Sequence, residues 1–245
     1  MIDASKLLGV DVMTGHWEFT LGADRVKQVV EGDFTGAIDF LAQNVKTADF
    51  GDPVFAPYVM REQNGVPIAI VGQAFPYTPI ANPRYFVPDW TFGIREQELQ
   101  LVVDEVRGKG AHAVVLLSHN GMDVDLKLAS RVHAASTRFS AGTRTTAFRG
   151  RPSSPTPGGR TLVTNAGCNG KFLAVLDFEV QSGSVADFRY KLLPVFANLL
   201  PARSDMAALI SQRARAVSAT PAGKVRCDRR TALPARQFQR QRSIN

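Results

Sequence analysis

The stretch VDVMTGHWEFTLG, residues 10–22, ends a short apolar run at Thr14–Gly15 and follows it at once with His16, Trp17 and Glu18. A second run, AVVLLSHNG, gives way to His119 and Asn120. Each histidine thus stands just past the C-terminal end of an apolar strand, the place where open α/β sheets hold their ligands. Imidazole is the commonest protein ligand for metals and the side chain that titrates nearest to neutrality. For a lone histidine, a polar turn residue is the plainer reading. Two in matched settings fit metal ligation equally well, and both readings stand at this level. Glu18, Asn120 and Asp123 are placed to act as outer partners that orient the rings. His112 reads as an exposed strand start, and His133 belongs to a stretch of odd composition.

Other chemistries find little support. No GxGxxG follows a strand, and there is no P-loop, no GxSxG elbow and no defensible Ser/His/Asp order. NAGCNGKF, residues 165–172, has small residues that suit a Gly-rich turn opening a hairpin, with Asn165 at its start as a pocket candidate. Cys168 lacks a credible base and reads as a small buried filler. It and Cys227 are too few for a disulfide framework, and neither has a CxxC partner.

The elements that must position these residues alternate. VDVMT (10–14) is a strand, ADRVKQVVEGD (23–33) a helix with Val26, Val29 and Val30 on one face, and IDFLAQNV (38–45) a strand. Residues 54–62 and 66–75 form a hairpin across Asn64–Gly65, a strong two-residue turn signal. The Pro- and aromatic-rich FPYTPIANPRYFVPDW (75–90) is expected to be an ordered loop rather than a helix or central strand. Residues 94–110 form an amphipathic helix closed by Gly108 and Gly110, 111–121 a core strand running into a polar turn, and 122–132 the next helix. RTLVTNAG (160–167) is a further strand. KFLAVLDFEV and VADFRYKLLPV, joined by QSGS, make a second hairpin. Strands separated by helices predict an α/β layered domain with an antiparallel portion near its end.

Composition adds two facts. At 245 residues and 44% hydrophobic, the chain is long enough for a sizeable core. No apolar run approaches the roughly 20 residues of a membrane helix, and MIDASKLLGVDV has no secretory signal pattern. The net charge of +7 invites a nucleic-acid reading, yet the charge is not spread along the chain. Residues 133–157 carry Arg138, Arg144, Arg149 and Arg151 and no acid, and residues 211–245 carry nine Lys or Arg against Asp228 alone. The rest of the chain is net acidic, and neither basic stretch interleaves aromatics to make a stacking platform, so neither nucleic acid nor membrane is expected as a partner. Both stretches lack periodicity and are expected to be irregular.

KLLGVDVMTGHWEFT, DFLAQNVKTADFGDPVF, GQAFPYTPIANPRY, VVLLSHNGMDVDLKLASRV and TLVTNAGCNGKFLAVLDFEV together resemble the thiosulfohydrolases of sulfur-oxidising (Sox) systems, a branch of the metallophosphoesterase and 5′-nucleotidase superfamily. The resemblance runs from residue 1 to about 210, apart from 133–157. It implies an α-β-β-α sandwich over residues 1–210, incomplete here, and a tail, 211–245, standing where a C-terminal substrate-binding domain would start. It makes His16 and His119 metal ligands. Most of the superfamily reads Gly-Asn-His-Glu where this chain reads Gly15-His16-Trp17-Glu18, so Trp17 occupies the place of the usual catalytic histidine. Trp17, Glu18, Asn120 and Asn165 become outer or pocket residues. The implied activity is metal-dependent hydrolysis in thiosulfate oxidation. Two manganese ions would hold a hydroxide between them, and sulfate would leave a cysteine-bound thiosulfonate on a sulfur-carrier protein in the periplasm. The rivals are a 5′-nucleotidase or other phosphoesterase and, from another class, an inactive fragment. The family's Asp-x-His and a bridging Asp have no counterpart in the chain, which reads as truncated before residue 1.

The family's GGHTHDG loop is also missing, and a shifted reading frame accounts for it. ASTRFSAGTRTTAF (135–148) can be written in codons that, read one nucleotide earlier, give Gly-Ile-Asp-Ala-Ile-Leu-Gly-Gly-His-Thr-His-Asp-Gly-Val. KVRCDRRTALPARQFQR (224–240), read one nucleotide later, likewise gives Lys-Phe-Ala-Val-Thr-Glu-Gly-Leu-Leu-Tyr-Arg-Arg-Gly-Asn-Phe-Asn. Both Arg-rich stretches are therefore read as frame-shifted coding text. Resequencing the coding DNA is expected to return a single-nucleotide displacement at each end of 133–157; an undisplaced frame there refutes this reading.

Overall fold

The computed structural model describes residues 1–132, 137–141, 153–156, 159–196 and 198–219. These divide into two units, Met1–Pro201 and the residues from Ala202 onward. The first begins with helix α1 (Ile2–Leu8), stopped by Gly9 in the left-handed region. It continues through β1 (Val12–Met13), a 3₁₀ turn (Trp17–Leu21) and α2 (Ala23–Gln28), which runs on as a π-helical turn to Asp33. Then come β2 (Asp39–Phe40), β3 (Val45–Thr47), β4 (Tyr58–Gln63), β5 (Val66–Gln73), α3 (Thr78–Ala81) and β6 (Trp90–Phe92). The remainder is α4 (Glu96–Gly108), β7 (Ala113–Ser118), α5 (Met122–Arg131), β8 (Thr137–Ala141), β9 (Ser153–Thr156), β10 (Gly159–Asn165), β11 (Phe172–Gln181) and β12 (Ser184–Pro194). In the second unit the described structure is α6 (Ser204–Ala219).

The main sheet runs β4-β5-β7-β8-β10-β9. Its four inner strands are parallel, and the edge strands β4 and β9 are antiparallel to their neighbours. Period-two alternation sorts the inner strands' side chains. Ala69, Val71, Val114, Leu116 and Val163 are fully buried against Leu99, Val103 and Val106 of α4 and Leu128 and Ala129 of α5. Each large apolar side chain buried this way stabilises the fold by about 1.5–3 kcal/mol. Ile68, Ile70, Val115 and Leu117 point the other way, into a cleft of about 680 Å³ whose opposite wall is the β11–β12 hairpin, with Ala174, Leu176 and Phe178 facing in. Helices on one face and a strand pair opposite the other give the expected α/β layering.

A second core is aromatic. Phe19 is completely buried and meets Phe40, Phe92 and Trp90 edge-on, while Phe55 bridges Phe40 and Trp90. It anchors the 3₁₀ turn that follows His16 to β2 and β6.

Several expectations need correction. The strand expected over 38–45 is broken into β2 and β3, because Gln43 and Asn44 turn their amides into the core. Asn44 Nδ2 donates to the carbonyls of Ala74 and Gly93, and its Oδ1 accepts from Ala74 N–H. Those bonds replace a regular ladder. The loop expected over 75–90 contains the single-turn α3, with Pro79 in its first turn where a missing N–H costs nothing, and a 3₁₀ turn at Arg84–Phe86. Within the supposedly irregular 133–157, β8 pairs with β7 and β10, and β9 with β10. Open strand edges recruit backbone whatever the side-chain pattern. Residues 211–219 continue α6, an Ala- and Arg-rich segment of good helix formers. His112 and Cys168 are half-buried, neither exposed nor filling a core. His133 and Cys227 lie outside the described residues.

At Gly72 a Cβ would run into the Leu41 carbonyl group, so Gly72→Ala forces backbone apart. At Gly108 a Cβ meets nothing within 4 Å. Denaturant unfolding should show Gly72→Ala destabilised by about 1–3 kcal/mol and Gly108→Ala unchanged or stabilised by up to about 1 kcal/mol. Equal effects would contradict this packing.

Candidate metal centre

The C-terminal end of β5 holds the site together. Gln73 C=O accepts a hydrogen bond from His119 N–H (2.9 Å), and Phe75 N–H donates to Gly15 C=O (3.0 Å). Two residues of one strand end therefore fix both histidine-bearing loops. Gln73 is fully buried; its Oε1 accepts from Gln43 Nε2, and its Nε2 donates to the Ile94 carbonyl at 2.7 Å. Gly15 has no side chain because there is no room for one. A Cβ there would lie 2.7 Å from the rings of Phe19 and Phe40.

On this frame the two imidazoles meet. His16 Nδ1 and His119 Nε2 are 2.6 Å apart, with ring centroids separated by 4.5 Å. At that distance one ring nitrogen donates and the other accepts, so the two rings cannot both be charged. Burial draws the His119 imidazole down to about 4, helped by the neighbouring His16. Burial also lowers His16, against the opposing charge of Glu18. Neutral, converging ring nitrogens are the form in which histidine binds a metal. Phe75 packs on His16 at 4.1 Å and shields one side of the pair.

The other predicted residues take different places. Trp17 stacks on His16 at 5.0 Å but leaves 69% of its surface exposed. Glu18 does not orient the imidazole: its carboxylate accepts the His16 backbone N–H at 2.7 Å and so caps the turn. Asn120 is buried and turns inward, donating through Nδ2 to Asp125 Oδ1 at 3.2 Å. Asn165 is buried at the end of β10, level with Ser118 through Ala141 of β8, and accepts from Gly167 N–H at 2.7 Å. Asp123 is exposed in the first turn of α5.

Sequence reading missed Phe75, Gln73 and Asp125. Phe75 and Gln73 sit where the expected strand passes into the loop, and nothing in their types marks them. Asp125 did carry a signal. With Leu128, Ala129 and Val132 it falls at helical spacing on the buried stripe of α5, where a carboxylate is out of place.

The imidazole pair suits a divalent transition metal in donor chemistry. Among the described residues, however, no group of three or more His, Cys, Asp or Glu is arranged to hold one. Two imidazoles are fewer than the three protein ligands of an ordinary catalytic site, and they do not make a dinuclear centre by themselves.

No protein-family model and no curated protein matches the sequence. Solved structures do. A sulfate thiohydrolase, SoxB, of Thermus thermophilus, solved in complex with glycerol, aligns over 89% of the chain with 34% identity and a TM-score of 0.79. A 5′-nucleotidase precursor from Thermus thermophilus aligns over 89% (23% identity, TM-score 0.74), and the calcineurin-like phosphoesterase YfkN from Bacillus subtilis over 88% (19% identity, TM-score 0.72). The chain spans 39% of the length of the thiohydrolase and 46% of that of the nucleotidase precursor. Fold and likeness together identify the chain as SoxB-like within the metallophosphoesterase fold.

Proposed function

We propose that this chain carries part of the metal centre of a thiosulfohydrolase, a hydrolase that releases sulfate from a cysteine-bound thiosulfonate on a sulfur-carrier protein. The observation that carries the reading is the approach of His16 Nδ1 to His119 Nε2 at 2.6 Å, from loops 103 residues apart in sequence. Its chemical direction comes from the 34% identity to a sulfate thiohydrolase. When bound, divalent cations, manganese by family resemblance, would supply Lewis-acid polarisation of the substrate's oxyanion group. The chain's own contribution is to hold two neutral imidazoles ready and to shield them with Phe75. Trp17, stacked on His16 and open to solvent, brings no acid–base group beside the imidazole pair. That agrees with a sulfur leaving group, which needs little protonation.

Because the described residues bring only two ligands together, the 245-residue chain is expected to bind manganese weakly and to release little or no sulfate from a thiosulfonate-loaded carrier. A version with GGHTHDG restored and the family's Asp-x-His segment added in front should regain metal stoichiometry and turnover together. His16→Ala in that version should then cost metal content as well as rate. Metal analysis and sulfate release across the three chains test this, with 5′-AMP as the rival substrate. Full sulfate release by the original chain, or turnover of the nucleotide alone by the repaired one, overturns it.

The neutral pair also fixes a pH dependence. The folded His119 refuses a proton that the unfolded chain accepts, so its contribution to stability is present above the ordinary histidine range. That contribution is lost as pH falls from about 6.5 toward 4. Asp125, pushed up to about 6 by burial, acts oppositely over part of that window. Denaturant unfolding between pH 4 and 7 should show a shallower loss on acidification for His119→Asn than for the parent chain. Parallel profiles would mean that His119 titrates normally.

A further inference from the structure

Asp125 is completely shielded from solvent in the first turn of α5, on the stripe that packs against the main sheet. Among the described residues no cation pairs with it there. Its partners belong instead to the tripeptide that carries His119. Ser118 Oγ donates to Asp125 Oδ1 at 2.6 Å, and Asn120 Nδ2 donates to the same oxygen at 3.2 Å. Asn120 N–H in turn donates to Ser118 Oγ at 3.2 Å. One carboxylate oxygen thus gathers the residues on either side of His119, while Gln73 C=O accepts the His119 N–H. The second oxygen, Asp125 Oδ2, and Asn120 Oδ1 are buried with no hydrogen-bond partner among the described residues. An orphaned buried acceptor lowers stability, and an apolar side chain of similar size would pack here without that penalty. Stability alone is therefore a poor account of a carboxylate at this position.

We infer that Asp125 is a positioning residue for His119: it fixes the backbone of Ser118–His119–Asn120 so that the imidazole is presented to His16 in ligating geometry. This rests on the reading of the two histidines as metal ligands. Asp125 acts through Ser118 and Asn120, which hold its carboxylate, rather than through the ring. An asparagine at 125 keeps an acceptor oxygen at the same place and should preserve the arrangement, whereas alanine removes it.

The test uses the 245-residue chain and cobalt(II) alone, followed by its visible ligand-field bands and by titration calorimetry. Metal-free protein is examined in parallel for the ¹⁵N–¹⁵N coupling across the His16–His119 hydrogen bond. The parent chain should bind cobalt in a manner abolished by His16→Ala. Asp125→Ala should weaken binding roughly ten- to hundredfold, the range for losing an outer partner of a metal ligand, and should lose the coupling. Asp125→Asn should restore both. Ser118→Ala, a smaller change, should weaken binding in the same direction and decides the matter if Asp125→Ala does not fold. Parent-like affinity and coupling in folded Asp125→Ala, or in Ser118→Ala should the former not fold, overturn the inference. If the parent chain binds no cobalt, the metal reading fails, and the ¹⁵N coupling alone decides whether Asp125 positions His119.

Discussion

Everything at the site depends on three residues at the end of β5. Gln73, Ala74 and Phe75 leave the sheet with their backbone groups spoken for on both sides: His119 N–H on the Gln73 carbonyl, Gly15 C=O on the Phe75 amide, Asn44 on Ala74. Backbone hydrogen bonds are short and directional, so a strand end that serves two loops sets their separation. The strand itself cannot shift, because Val71 is locked beneath α4 and Gly72 lies against the Leu41 carbonyl. The meeting of two rings is thus a consequence of sheet packing, carried outward by one short segment.

The two cores divide this labour. The aliphatic one, under α4 and α5, fixes β5 and β7 and hence the level at which His119 emerges. The aromatic one, around Phe19, fixes the turn behind His16. Neither contains a residue of the candidate site, but both end within one or two residues of it. The hairpin side of the main sheet contributes differently. Ile68, Ile70, Val115 and Leu117 remain only half-buried across the cleft, so the helix-side core supplies most of the hold on β5 and β7.

Much of this was legible in the sequence, for identifiable reasons. The hairpin across Asn64–Gly65 was, because both residues adopt positive φ, 52° and 76°, as a two-residue primed turn demands. Helix α4 was, because its apolar spacing and closing glycines agree. The two histidines stood out because polarity rises abruptly at the end of an apolar run. What stayed hidden was long-range. Nothing in IDFLAQNV announces that Asn44 will bond to Ala74 and Gly93, so the break between β2 and β3 was invisible. The pairing of β8 with β7 depends on an open strand edge rather than on its own side chains. Glu18 and Asn120 were expected to steer imidazoles, but each bonds nearer at hand, Glu18 accepting from the His16 backbone amide and Asn120 donating to the buried Asp125 carboxylate. Asp125 was readable in principle, as the misfit on an apolar stripe.

The separation of 103 residues between His16 and His119 has a kinetic consequence. Closing so long a loop exacts its entropy before the contact returns anything, and contacts of that span form late in folding. The imidazole pair therefore exists only in molecules that have already assembled β1, β2, β5 and β7, and an ion bound there would act as a clasp on the finished chain. Binding to the native state alone slows its opening and drains the partly folded population by mass action. The size of that effect would follow the ratio of free ion to its dissociation constant, independently of any turnover.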